Sequence, residues 1–157
     1  MIIILGITTQ CFSFSSNLMQ AINDGNLDSV KKIIAENSSE LNATDKQKST
    51  VLMFAVYKGE PEIVSYLIEM GADISLENSK NQTALDIVMS EIEQLSAGTD
   101  FEKQITSIFD EYKYISNKET TLNDLQKLKS LVEKNANSWA TATLVDYIKV
   151  MELLLKK

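Results

Sequence analysis

A threonine with a leucine two residues on opens an apolar-periodic run at Thr50 and Leu52, and the same pair returns 33 residues later at Thr83 and Leu85. In the other direction, Leu18, Ala21, Gly25, Val30, Ile33 and Ile34 stand 34 residues ahead of Leu52, Ala55, Gly59, Val64, Leu67 and Ile68. Such a period constrains the fold more than composition does. A unit of about 33 residues is too small to bury its own apolar face, so units must stack into a quasi-linear array. The 157-residue chain holds about three such units and a terminal cap.

The middle unit shows what one repeat contains. In GEPEIVSYLIEMGADIS, residues 59–75, Ile63, Val64, Leu67 and Ile68 recur with helical spacing, while Glu62, Ser65 and Glu69 lie on the opposite face. Pro61 suits a first helical turn, where its missing N–H would be unpaired anyway, and Gly71 accepts the left-handed conformation that ends a helix. Upstream, TVLMFAVYKG is a second short helix, capped by Thr50 and ended by Gly59, with Leu52, Ala55 and Val56 facing inward. The expected fold class is all-α, a solenoid of stacked helix pairs joined by short hairpin loops.

These motifs resemble the ankyrin repeat, a family that pairs a T-P-L-H-x-A helix start with a G-x-x-E-I-V helix and an L-L-x-x-G-A-D-V-N hairpin. Here the middle unit reads TVLMFAV, GEPEIVSYLIEM and GADIS, the first unit ends in LNATD and the third opens with TALDIV, so the resemblance covers about residues 17–90. Val51 replaces the usual proline and Met53 the usual histidine. Lys48 stands at the glycine of the hairpin turn, where Asn81 of the next unit tolerates a left-handed backbone.

Past residue 90 the pattern fades and helicity persists. The inner helix of the third unit is expected to run to Leu95 and break at Ser96, Ala97 and Gly98. TDFE, from Thr99, reads as a capping-box start for a helix carrying Ile105, Ile108 and Phe109, which mimic Val64, Leu67 and Ile68. Residues 83–115 are therefore read as a stretched third repeat. TLND, from Thr121, starts another helix with Leu125, Leu128, Leu131 and Val132 inward, and Asn137 or Ser138 starts the last, through Leu144, Ile148, Met151 and Leu155. The division is thus an N-terminal segment at 1–15, repeats at about 16–43, 44–77 and 78–115, and a helical cap at 116–157. In the last helix the polar residues Asp146, Lys149, Glu152 and Lys156 form one narrow stripe, and Val145, Tyr147, Val150, Leu153 and Leu154 spread apolar surface around the rest. Two readings stay open for that surface: cover by neighbouring parts of the chain, or a homodimer or partner site.

Residue types that are missing exclude several chemistries. All 15 basic residues are lysine, against 22 Asp plus Glu, with no arginine and no histidine. A net charge of −7 repels polyanions, and without the arginine fork nucleic acid is not an expected partner. The lack of histidine removes nucleophile–His arrangements and His-ligated metals, and the single cysteine, Cys11, forms neither an internal disulfide nor a thiolate cluster. No metal or other cofactor is expected. Glu60 with Glu62, Glu91 with Glu93, and Asp110 with Glu111 are the carboxylate pairs a glycosidase or hard-metal reading would select. Residues one or two apart on a helix do not face each other, so these read as solvated surface. Asp86 reads as a first-turn helix charge. Asn37, Asn42 and Asn81 lie in Asn-x-Ser/Thr triplets, of consequence only for an exported eukaryotic chain.

MIIILGITTQCFSFS, residues 1–15, is uncharged apart from its amino terminus and apolar at Ile2, Ile3, Ile4, Leu5 and Ile7. It resembles a secretory signal peptide, with Ser13 and Ser15 as the small residues before a cut at Ser16, although it lacks an n-region lysine. Export, periplasmic or secreted, is the expectation, with an apolar N-terminal tail on a cytoplasmic protein as the alternative. The run is too short to span a bilayer, which takes about 20 apolar residues.

The family resemblance implies a protein-binding module without turnover, working through a concave face of hairpin tips and inner helices. In this chain that face is Lys46, Gln47, Ser49, Met53, Tyr57 and Lys58 from the middle unit and Ser79, Lys80 and Gln82 from the next, extended by Met19, Gln20 and Asn23. Tyr57 and Met53 are the expected anchors, since aromatic and thioether side chains give large contact area at low ordering cost. For Met53, packing between adjacent inner helices is an equal reading. A second functional reading is an exported inhibitor or immunity protein whose carboxylates meet the basic cleft of a toxin or enzyme. A third, an enzyme on this scaffold, would have to work without histidine or arginine.

Overall fold

In the computed structural model, which describes residues 14–98, 102–114, 118–134 and 139–156, each repeat begins at a side-chain cap. The Ser15 hydroxyl accepts from the Leu18 N–H at 3.2 Å and opens α1 (Ser16–Asn23). Asn26 opens α2 (Leu27–Glu36) by accepting from Ser29 N–H at 3.0 Å. The Thr50 hydroxyl accepts from Met53 N–H and opens α3 (Val51–Lys58), followed through left-handed Gly59 by α4 (Pro61–Glu69). Thr83 opens α5 (Ala84–Ser96) in a reciprocal box, since the Asp86 carboxylate accepts from Thr83 N–H at 2.8 Å. Asp86 is therefore a capping residue, as its first-turn position implies. α6 (Glu102–Tyr114), α7 (Lys118–Lys134) and α8 (Trp139–Leu155) complete the order. The expected cap at Thr99 and the start at Asn137 or Ser138 lie outside the described residues, and α7 begins three residues ahead of Thr121.

The inner helices α1, α3 and α5 stack side by side, with α2 and α4 behind the first two. Between them the chain turns at two hairpins that superimpose residue for residue: Lys48 N–H to Asp45 carbonyl and Asn81 N–H to Asn78 carbonyl, each 3.0 Å. Lys48 and Asn81 both adopt positive φ, 58° and 56°, so a lysine takes the left-handed site where glycine is usual. Pairing is confined to an isolated bridge between Thr44 and Thr50, and the described residues are otherwise helix, turn and loop. One continuous apolar core runs from Phe14 to Leu154.

The third repeat departs from the expected order. The helix that packs along α5 and against α4, where an outer helix belongs, is α8, whereas α6 touches α5 and α7. Val150, Met151 and Leu154 are buried at the spacing of Ile63, Val64 and Leu67. Three residues ahead of each set, Glu60 lies against Gly25 and Tyr147 lies against Gly59. Thus α6 and α7 form an insertion, and the last helix returns to complete the stack. Its wide apolar surface follows from this position, because α4, α5 and α7 cover it on three sides. Tyr147, Val150 and Leu154, which suggested a dimer face, are buried within the single chain, and Val145 alone of that set is exposed.

The N-terminal segment also meets the fold. Residues 1–13 lie outside the described residues, but Phe14 is 4% exposed and packs its ring 6.3 Å from that of Phe54. Ser15 donates from both its N–H and its hydroxyl to the Glu40 carboxylate, at 3.1 and 2.9 Å.

Candidate protein-binding surface

The inner helices and hairpins enclose a groove of about 440 Å³ on one face of the stack. Of the expected contact residues, Ser49, Met53, Tyr57, Lys80 and Gln82 line it, as does Met19. Lys46, Gln47 and Ser79 are exposed on the hairpin ridge at its edge. Lys58 extends over the floor, its ammonium 5.5 Å from the Phe54 ring centroid and 5.7 Å from that of Tyr57. Gln20 and Asn23 are exposed on α1, with Gln20 donating to Asp24 at 2.8 Å.

The two expected anchors part company. Tyr57 is 53% exposed at the centre of the groove. Met53 is 3% exposed, and its sulfur accepts the Thr50 N–H at 3.4 Å, so it serves the helix cap and the packing between inner helices and shows only an edge to the groove.

Several lining residues escape the sequence reading. Phe14 and Phe54 give the floor aromatic surface, and Ile87, Ser90, Glu91 and Gln94 form the wall from α5. The signal for the wall was present: Ile87, Ser90 and Glu91 lie 33 residues after Phe54, Tyr57 and Lys58. Asp45 and Asn78 line the groove too, yet their side chains are committed to the turns. Asp45 Oδ1 accepts from Gln47 and Ser49 N–H at 2.8 Å each, and Asn78 Oδ1 from Lys80 and Gln82 N–H at 2.8 and 3.1 Å.

The carboxylates near this surface act on charge balance. Burial pushes the Glu91 carboxyl above its usual range. Glu60 is raised by burial and then by the negative charges of Glu62 and Asp146. Among the described residues, no three His, Cys, Asp or Glu side chains gather closely enough to hold a metal ion.

An array of capped helix pairs with a one-sided groove defines a helical repeat protein of the binding kind. The chain belongs to the ankyrin-repeat family: the family described as ankyrin repeats (3 copies) matches residues 18–96. Ankyrin repeats generally mediate protein–protein interaction. Among curated proteins, it is 41% identical over 66 residues to the NAD-capped RNA hydrolase NUDT12 of Homo sapiens, covering 42% of this chain and 14% of that protein. It is 40% identical over 73 residues to ankyrin repeat and SAM domain-containing protein 6 of Rattus norvegicus, covering 46% and 8%. With the E3 ubiquitin-protein ligase XBAT32 of Arabidopsis thaliana it shares 32% identity over 83 residues, covering 52% and 16%. The chain thus spans a small part of the length of each, and the likeness to the hydrolase is partial, over the ankyrin region.

Proposed function

We propose that this chain is a non-catalytic module that binds a partner protein along the groove formed by α1, α3, α5 and the two hairpin tips. The observation that carries the reading is Tyr57, a large aromatic residue left half in water at the middle of a groove whose other apolar residues are mostly covered. Rigid aromatic side chains of this kind dominate binding energy when a partner desolvates them. We also propose export, on the apolar and uncharged character of residues 1–13.

The test is affinity capture from the source organism with the full chain as bait, repeated with Tyr57→Ala and with Glu69→Ala on the far side of α4. Tyr57→Ala is expected to weaken capture by about 1 to 3 kcal/mol with little change in Tm, because its ring lies outside the core. Glu69→Ala is expected to do neither. Capture that survives Tyr57→Ala unchanged would move the binding surface elsewhere.

A further inference from the structure

The net charge of −7 is unevenly placed. Between residues 46 and 59 the charged side chains are Lys46, Lys48 and Lys58, and between 78 and 82 the only one is Lys80. No aspartate or glutamate falls in either span. Asp45 is the nearest carboxylate in sequence and is held by two backbone N–H groups. None of the four lysines forms an ion pair among the described residues.

The ridge that carries these lysines is ordered. Ser79 N–H donates to the Gln47 carbonyl at 2.8 Å and ties the second hairpin to the first, so Lys46, Lys48 and Lys80 project from one rigid edge. The N-termini of α3 and α5 end at the same edge and add their partial positive charge. Eight residues along α5 from Thr83, about 12 Å at the helical rise, stands Glu91, a carboxylate on the groove wall. The groove is positive at its hairpin end and negative at its far wall, with Phe54 and Tyr57 between.

We propose that the groove receives an acidic peptide segment of the partner protein, its carboxylates against Lys46, Lys48 and Lys80 and an apolar side chain on Phe54 and Tyr57. The proposal rests on the concave-surface reading above and adds the chemistry and polarity of the partner. Three unpaired cations fixed on one edge attract carboxylates at long range and lose little side-chain backbone freedom on contact, which favours rate and orientation of encounter. Glu91 repels acid at the other end and so sets the direction. A basic cleft, the partner of the inhibitor reading, would meet like charge at this edge.

The test is a displayed-peptide selection on the immobilised full chain, followed by fluorescence anisotropy with one enriched peptide. The expected winners carry excess Asp and Glu beside a large apolar residue. Their affinity is expected to fall at least tenfold in Lys46→Glu/Lys48→Glu/Lys80→Glu, to fall between 50 and 300 mM salt by about tenfold, and to stay within twofold in Lys32→Glu/Lys103→Glu/Lys134→Glu, which has the same net charge. Should the ridge variant fail to melt cooperatively, the Lys→Gln version at the same three positions replaces it, with at least a fivefold loss expected. Winners that are neutral or basic but lost in Tyr57→Ala overturn the acidic-segment proposal and leave the concave surface standing. Winners indifferent to both Tyr57→Ala and the ridge variant, or no enrichment at all, overturn both.

Discussion

The phenol of Tyr147 donates a 2.7 Å hydrogen bond to the backbone carbonyl of Tyr57, across 90 residues of chain. Tyr57 sits in the last turn of α3, where carbonyls have no helical donor, so the final helix satisfies a group that the repeat itself leaves open. Tyr147→Phe keeps the ring and removes the donor. It is expected to cost about 1 kcal/mol at neutral pH. Burial first, then the charges of Glu91, Tyr57 and Glu60, push the Tyr147 phenol from 10.0 up to about 12. The folded chain holds this proton longer than the unfolded one, so the contribution is complete below pH 10 and is lost as pH rises through 12. Denaturant titrations of the two proteins should therefore converge between these limits. A gap that stays constant would place the hydroxyl in water.

Gly59 and Gly71 separate backbone strain from crowding. Both have positive φ, +69° and +93°, so alanine at either position is expected to cost about 1 to 2 kcal/mol. A Cβ on Gly59 would also lie 3.1 Å from Tyr147 Cζ, while one on Gly71 meets nothing within 4 Å. Gly59→Ala should be the more damaging in chemical denaturation, and the excess should shrink when Tyr147 is leucine, since contacting sites are not additive. Equal losses at both glycines would mean that the ring yields freely.

If α8 is the outer helix of the third repeat, damage to it should spread inward. Val150→Asp buries a charge among α4, α5 and α7 and is expected to lower the hydrogen-exchange protection of α4 and α5 together with that of α8. Val145→Asp, at the exposed position, should change stability by about 0.5 kcal/mol or less. Protection lost from α8 alone would make that helix an appendage.

The repeats from α1 to α5 and both hairpins were legible because each unit repeats its own caps, glycines and apolar spacing locally. The pairing of α5 with α8 was not. Adding 33 to Ile63, Val64 and Leu67 lands on Ser96, Ala97 and Asp100, none of which builds an outer helix. The true counterparts lie 87 residues on, after an insertion whose Ile105, Ile108 and Phe109 imitate the pattern. In the groove, register placed Tyr57, Ser49, Lys80 and Gln82 correctly. It could not show that Met53 turns its sulfur back to its own helix cap, because that depends on a rotamer. The wall at Ser90, Glu91 and Gln94 was obscured because α5 runs past the point where α3 ends at its glycine. Phe14 was hidden by the apolar leader-like composition around it.

That last residue decides where processing can occur without harm to the fold. A cut before Ser16 would remove the Phe14 ring from the core and, with Ser15, the hydroxyl that caps α1 and both donors to Glu40. Loss of a buried phenylalanine side chain and of one helix cap costs about 3 kcal/mol or more. A chain beginning at Phe14 should therefore melt well above one beginning at Ser16, and Phe14→Ala in the full chain should account for most of the difference. If the protein is exported and cleaved, the native amino terminus read by N-terminal sequencing is expected at Phe14 or upstream of it. Equal melting of the two truncated chains would show that the first repeat holds without its aromatic lid, and would leave a cut at Ser16 compatible with the fold.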